Sequence, residues 1–299
     1  MRALVTGATG FIGRRLVAKL EKPVVLSRDA DRARALLGPG PEVFAWDPSS
    51  GPPNPEAFRG VEVVFNLAGE SVGAGRWTRR RKDAIRESRI TGTRNLVIAL
   101  ENLPERPRVL VSVSAIGYYG DRGGQPLDET ASPGSDFLAE VCVAWEAEAR
   151  RASASRLRVV TPRLGIVLGP GGGALQKMVT PFKLGLGGRL GSGEQWMSWI
   201  HVDDAVGILL HAARTAALTG PVNAVAPGPV TNREFTRTLG AVLGRWTIFP
   251  MPAFALRVIV GEFAKVLLSS QRVEPRAAER SGYSFTHSSL EGAMRAILA

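Results

Sequence analysis

The chain has 299 residues, 44% of them apolar and 22% charged, which suits a globular α/β core with a smaller attached lobe. A single cysteine, Cys142, excludes an internal disulfide framework, and His201, His211 and His287 are too scattered for metal-ligand spacing, so no metal is expected. The balance of 38 − 27 = +11 comes largely from arginines interspersed with acids at helical spacing; it reads as a salt-bridged surface compatible with a small anionic ligand, and no nucleic-acid-binding motif accompanies it.

Short apolar runs alternate with helical patterns: "ALVT", "FIGRRLVAKL", "VVLS", "VFAW", "VEVVFNLA", a long helix to Leu103, "VLVSVS", "DFLAEVCVAWEAEA" and "LRVVTPR". This order predicts βαβ units, and the near-continuous apolar strands predict burial on both faces, a doubly wound parallel sheet of Rossmann type. After Leu168 the texture turns glycine-rich. The expected division is residues 1–167 with about 201–226 as the core, and 168–200 with 227–299 as a smaller C-terminal substrate lobe. The most apolar late stretch, "FPMPAFALRVIVGEFAKVLL", carries Arg257, Glu262 and Lys265 and reads as an amphipathic helix, not a membrane span. With a strand pattern from Arg2 and no basic-then-apolar leader, the expected location is the cytoplasm.

"LVTGATGFIG" places Gly7, Gly10 and Gly13 in a GxxGxxG array between a strand ending near Thr6 and a helix starting near Phe11. Such glycines let backbone approach a pyrophosphate at a helix N-terminus. A tight βα turn without a ligand is the plainer alternative, and the strand before and helix after favour a dinucleotide.

With Thr6 before the first glycine, this spacing resembles extended short-chain dehydrogenases, the epimerase-like branch of that superfamily. "NLAGE", "SVSAIGYYG" and "WIHVDDAV" extend the likeness. "NLAGESVGAGRWTRRRKDAIRESRI", "VLGPGGGAL", "PFKLGLGGRLGSGEQWMSWIHVDD" and "NAVAPGPVTNREF" are similar to an atypical group of epimerase-family proteins of unknown substrate. The resemblance covers nearly the whole chain. It implies a nicotinamide cofactor held by Gly7, Thr9, Gly10, Phe11, Ile12, Gly13, Leu67, Ala68, Gly69 and Glu70, with Val167 on the nicotinamide side. It also brings the expectation of a homodimer.

After the second strand, "VVLSRDADR" puts Ser27 and Arg28 where a ribose 2′-phosphate would lie, which predicts NADP(H) over NAD; the alternative pairs Arg28 with Asp29 or Asp31. Asp47 stands where relatives recognise adenine. A helix beginning near Thr78 carries Arg79, Arg80, Arg81 and Lys82 in its first turn, where the dipole disfavours cations. Lys82, Arg86 and Arg89 share one face. Arg79 to Arg81 read as an exposed face relieved by Asp83 and Glu87, and Arg89 as a cofactor contact. Trp77 reads equally as pocket wall or packing. Met178, Phe182, Trp196 and Trp199 suit either an apolar pocket or core.

Ordinary relatives pair a serine, here Ser114, with a tyrosine about two dozen residues later and a lysine four beyond it. Those places fall on Phe137 or Leu138, and on Val141 or Cys142. Tyr118 and Tyr119 are the candidate substitutes for the acid, with Glu70 and Asp203 as less favoured ones. Three readings follow: another donor acts; an activated substrate such as a conjugated carbonyl or imine needs none; or the protein binds NADP(H) without turnover. The leading expectation is an NADP(H)-dependent oxidoreductase or epimerase-like enzyme on a small polar substrate, anionic ones included. A catalytically silent redox sensor is the alternative.

Overall fold

A computed structural model describes residues 1–247 and 249–298. The chain order is β1 (Ala3–Thr6), α1 (Phe11–Val17), β2 (Val24–Ser27), α2 (Ala30–Leu37), β3 (Glu42–Ala45), β4 (Val63–Asn66), α3 (Arg79–Glu101), β5 (Val109–Ser112), α4 (Phe137–Arg151), β6 (Arg158–Leu164), α5 (Gly173–Lys183), α6 (Val202–Arg214), β7 (Gly220–Ala224), α7 (Asn232–Leu243) and α8 (Ala253–Val260). The main sheet runs β7-β6-β5-β4-β1-β2-β3, parallel throughout, with Ser114–Ala115 adding a short pairing to β6. Strand order reverses between β1 and β4, which opens a crevice at their carboxyl ends.

Every residue of β1, β4 and β5 is buried, as the apolar runs predict for strands covered on both faces. One core joins Leu16 and Val17 of α1 to Val206, Leu209 and Leu210 of α6. The other face packs Leu96, Val97 and Leu100 of α3 against Leu4, Val64 and Leu110. Helix α3 starts where the sequence predicts, because Thr78 accepts the Arg81 N–H. Helix α4 is capped by Asp136 and buries Ala139, Val141, Cys142, Trp145, Glu146 and Ala149, a helical stripe that includes one carboxylate.

A separate lobe core holds Leu175, Val179 and Phe182 of α5 with Trp199, Phe235 and Met294. Phe182 and Trp199 are therefore core, and Met178 packs against them. Trp196 lies under the Arg272 guanidinium, 4.8 Å from ring centre to Cζ. The expected lobe boundary fails at the C-terminal end. Arg272–Val273 pairs in parallel with Pro126–Leu127, and Ala277, Ala278, Tyr283 and Phe285 join the Rossmann core. The cause is polar as well as apolar. Both Asp204 carboxylate oxygens accept backbone N–H groups, from Thr286 and His287, and the Tyr283 hydroxyl donates to it too. This ties residues 283–287 to the head of α6.

Candidate active site

The glycine turn is built by close backbone approach. Gly7 has φ +67°, and a Cβ there would sit 2.8 Å from the Leu67 carbonyl; one on Gly13 would sit 2.2 Å from the Gly7 oxygen. Gly10, by contrast, is exposed and heads α1 with no side-chain cap. Phe11 closes the far side: a Cβ on Gly172 would lie 2.4 Å from its ring. Thr6 Oγ1 donates to Asn66 Oδ1 and accepts the Leu67 and Ala68 N–H groups, while Asn66 donates to Thr93 and Ser112. This buried lacing fixes the Leu67–Glu70 turn against the glycines. Thr9, Ile12 and Val167 are half-buried around the same crevice.

At the end of β2 the Ser27 hydroxyl bonds the Asp29 backbone, Asp29 caps α2 and Asp31 pairs with Arg34. Both acids that would occupy Arg28 are thus engaged elsewhere. Arg28 is exposed and makes no ion pair among the described residues. Asp47 faces it across the crevice rim: the Ser49 N–H and hydroxyl, helped by the Arg28 charge, hold the Asp47 carboxyl below the usual range.

In the basic first turn of α3, Arg79 and Arg80 are exposed as expected and Arg81 is not. Arg81 is half-buried, pairs with Glu70 at 3.0 Å and donates to the Ser71 carbonyl. Its partner is therefore the β4 turn, not Asp83 or Glu87. Lys82 crosses to Glu262 at 2.6 Å, and Arg86 reaches Glu140 at 3.7 Å. Only Arg89 of the expected trio turns inward. Its Nη1 donates to the Glu70 and Ile85 carbonyls, its guanidinium covers Gly69 and Trp145, and burial holds it below its ordinary pKa.

The place of the missing acid has been rebuilt. Of the residues at the expected tyrosine and lysine places, Leu138 and Cys142 flank Gly117, and Cys142 lies beside Ser114. Burial, reinforced by the Glu146 charge, pushes the Cys142 thiol up to about 11. Ser114 is buried and donates to Glu146 Oε1 at 2.7 Å. Glu146 in turn takes a two-point ion pair from Arg163, 2.8 Å at each oxygen. Burial works against the Arg163 charge, but bonded Glu146 more than offsets it and raises the guanidinium above its ordinary value.

This network removes Tyr119 from the candidate acids. It is fully buried, its hydroxyl donates to Asn223 at 2.7 Å and accepts from Arg163 at 2.9 Å, and burial pushes it up to about 12. Tyr118 is half-buried with Arg163 stacked 3.4 Å from its ring centre, and its hydroxyl has no partner among the described residues. Asp203 lies at the head of α6, exposed beside His201. Glu146 and Arg163 were missed in the sequence. The signal was a glutamate on the apolar stripe of α4, whose burial requires a cation.

The fold also brings together two histidines that sequence spacing kept apart: the His201 and His287 rings stack at 3.7 Å, and with Asp203 offer ligand atoms within 4.8 Å. His201 Nδ1, however, accepts the Asp203 N–H as the cap of α6, so its proton sits on Nε2 and neither nitrogen is free for a metal.

The crevice, bare glycine turn and Ser114 position are features of one large family. The NAD dependent epimerase/dehydratase family matches residues 3–224. The chain belongs to that family. A domain of unknown function matches residues 251–297. This epimerase-family chain is 41% identical over 292 residues to an epimerase family protein of Mycobacterium bovis, covering 97% of this chain and 95% of that one. It is 40% identical over 311 residues to an Arabidopsis thaliana relative named as chloroplastic, covering 100% and 87%. The crystal structure of the human epimerase family protein SDR39U1 with NADPH superposes with TM-score 0.87 at 35% identity, over 99% of both chains. Among the described residues no helix is long and apolar enough to cross a membrane.

Proposed function

We propose that the protein is an NADP(H)-dependent oxidoreductase that transfers hydride without a side-chain acid of the usual tyrosine type. The observation that carries the cofactor choice is Arg28, exposed after β2 beside Ser27, with both neighbouring aspartates already engaged. A guanidinium left free there suits a 2′-phosphate, where NAD would call for a carboxylate. The human relative crystallised with NADPH supports the same choice.

In this reading Gly7, Gly10 and Gly13 with Thr9, Phe11 and Ile12 hold the diphosphate side, the Leu67–Glu70 turn lies along the adenosine half, and Asp47 takes the adenine. Val167 borders the nicotinamide. Arg89 supplies the cation that the absent lysine would have brought: among the described residues only its Nη1 is hydrogen-bonded, which leaves the rest of the fork for cofactor oxygens. Bound NADPH supplies a hydride. The Ser114 hydroxyl donates its hydrogen bond to Glu146, so in this reading it does not protonate substrate. A second reading, a silent redox sensor, is favoured by that same engagement.

Calorimetric titration with NADPH and NADH tests the assignment. NADPH should bind at least tenfold more tightly, and Arg28→Ala should erase the preference. Equal affinities in the wild type would refute it.

A further inference from the structure

The residues around the vacant acid position define a substrate class. Phe137, next to Leu138 on α4, meets Trp77 edge-on at 5.2 Å between ring centres, and Phe263 lies 5.8 Å from Trp77 on the other side. Cations surround these rings: Lys82 Nζ lies 5.2 Å from the Phe137 centre, and the Arg86 guanidinium lies 5.4 Å from it. Lys177 donates to the Gly73 carbonyl beside Phe263. The rings come from three separate segments, the loop before α3, the head of α4 and the segment after α8.

From this we infer that the substrate is a planar quinone bearing an acidic group, a sulfonate or a carboxylate, stacked against Phe137, Trp77 and Phe263 and steered by Arg86. The inference rests on the oxidoreductase reading above. A sugar needs a hydrogen-bond partner for nearly every hydroxyl, whereas the three rings present largely apolar surface with cations at its rim. A flat ring with an anion gains from stacking and from the surrounding charge. Arg86 is the exchangeable cation, because its pairing with Glu140 is long and both side chains are largely exposed.

The same class fits the lost acid. Hydride from NADPH brings two electrons to a quinone, and conjugation carries the charge to the second oxygen as a stabilised phenolate. That hydroquinone monoanion takes its remaining proton from water. No side chain has to give one up. A sugar ketone would develop an alkoxide, which requires a positioned donor.

The test uses anthraquinone-2-sulfonate on the full chain saturated with NADP⁺, followed by quenching of tryptophan fluorescence, with UDP-glucose as competitor. Saturable binding that UDP-glucose does not displace is expected. Phe263→Ala and the surface variant Arg86→Ala should each weaken it at least tenfold while NADPH affinity stays unchanged. Unaltered sulfonate affinity in both variants, or displacement by UDP-glucose, overturns the inference. Sulfonate binding without NADPH oxidation keeps the ligand class and sinks turnover, whereas failure of NADPH itself to bind sinks the cofactor reading alone.

Discussion

The two sides of the crevice have been treated in opposite ways. At the β1–α1 turn, backbone approaches so closely that Gly7 and Gly13 admit no side chain, and Gly10 presents bare peptide outward. At α4, the fifteen residues where the family resemblance led to the expectation of an acid and a cation bury an indole, a thiol and a carboxylate, the last held by Arg163. The glycine turn has the close backbone approach a dinucleotide needs, and α4 carries a buried ion pair to Arg163. Under the oxidoreductase reading proposed above, the contrast would locate the chemistry in the acceptor and leave the protein the work of positioning.

The sharpest way to break this contrast is Glu146→Ala. It strands a buried guanidinium, and loss of about 3–5 kcal/mol is expected. Guanidinium chloride unfolding measures it, and replacing the pair by Glu146→Met with Arg163→Met should recover most of the loss. Recovery by the apolar pair would mark the network as structural; a Glu146 variant of unchanged stability would contradict the packing described. On the kept side, Gly13→Ala drives a methyl into the Gly7 carbonyl and should cost about 1–3 kcal/mol by overpacking. NADPH affinity in calorimetry should drop at least tenfold with it, and an alanine that binds normally would show that the turn relaxes freely.

The smallest effect lies outside both sides, at the head of α6. Burial, then neighbouring His287, holds His201 below its ordinary value of 6.5. Its folded pKa lies under the unfolded one, so its contribution is intact above about pH 6.5 and is lost as pH falls through the folded value. Melting temperature compared between pH 7.5 and 5.5 should fall less for His201→Asn, which keeps a capping side chain without a titrating ring. Equal falls would assign the acid sensitivity to other groups.

Much of the fold was legible because it is local. The strands follow from apolar runs, the glycine turn from spacing, and the start of α3 from Thr78. Partners were not legible. Periodicity marks Glu146 as facing inward but is silent about Arg163, seventeen residues on in strand β6, and Arg81 looks like one of several surface arginines until the β4 turn brings Glu70 beside it. Tyr118 and Tyr119 are adjacent in sequence, yet only the fold separates a half-buried phenol from a fully enclosed one.

The return of residues 272–287 to the sheet has a consequence for synthesis. Ala278, Tyr283 and Phe285 complete a core begun by Ala3 and Val5, and Glu274 accepts a bond from Asn223 at the sheet's outer strand. During translation the dinucleotide half therefore emerges with that strand and the head of α6 uncovered, and it waits for some fifty further residues on the order of seconds. A ribosome stalled between β7 and residues 272–287 would display apolar surface that the finished molecule covers.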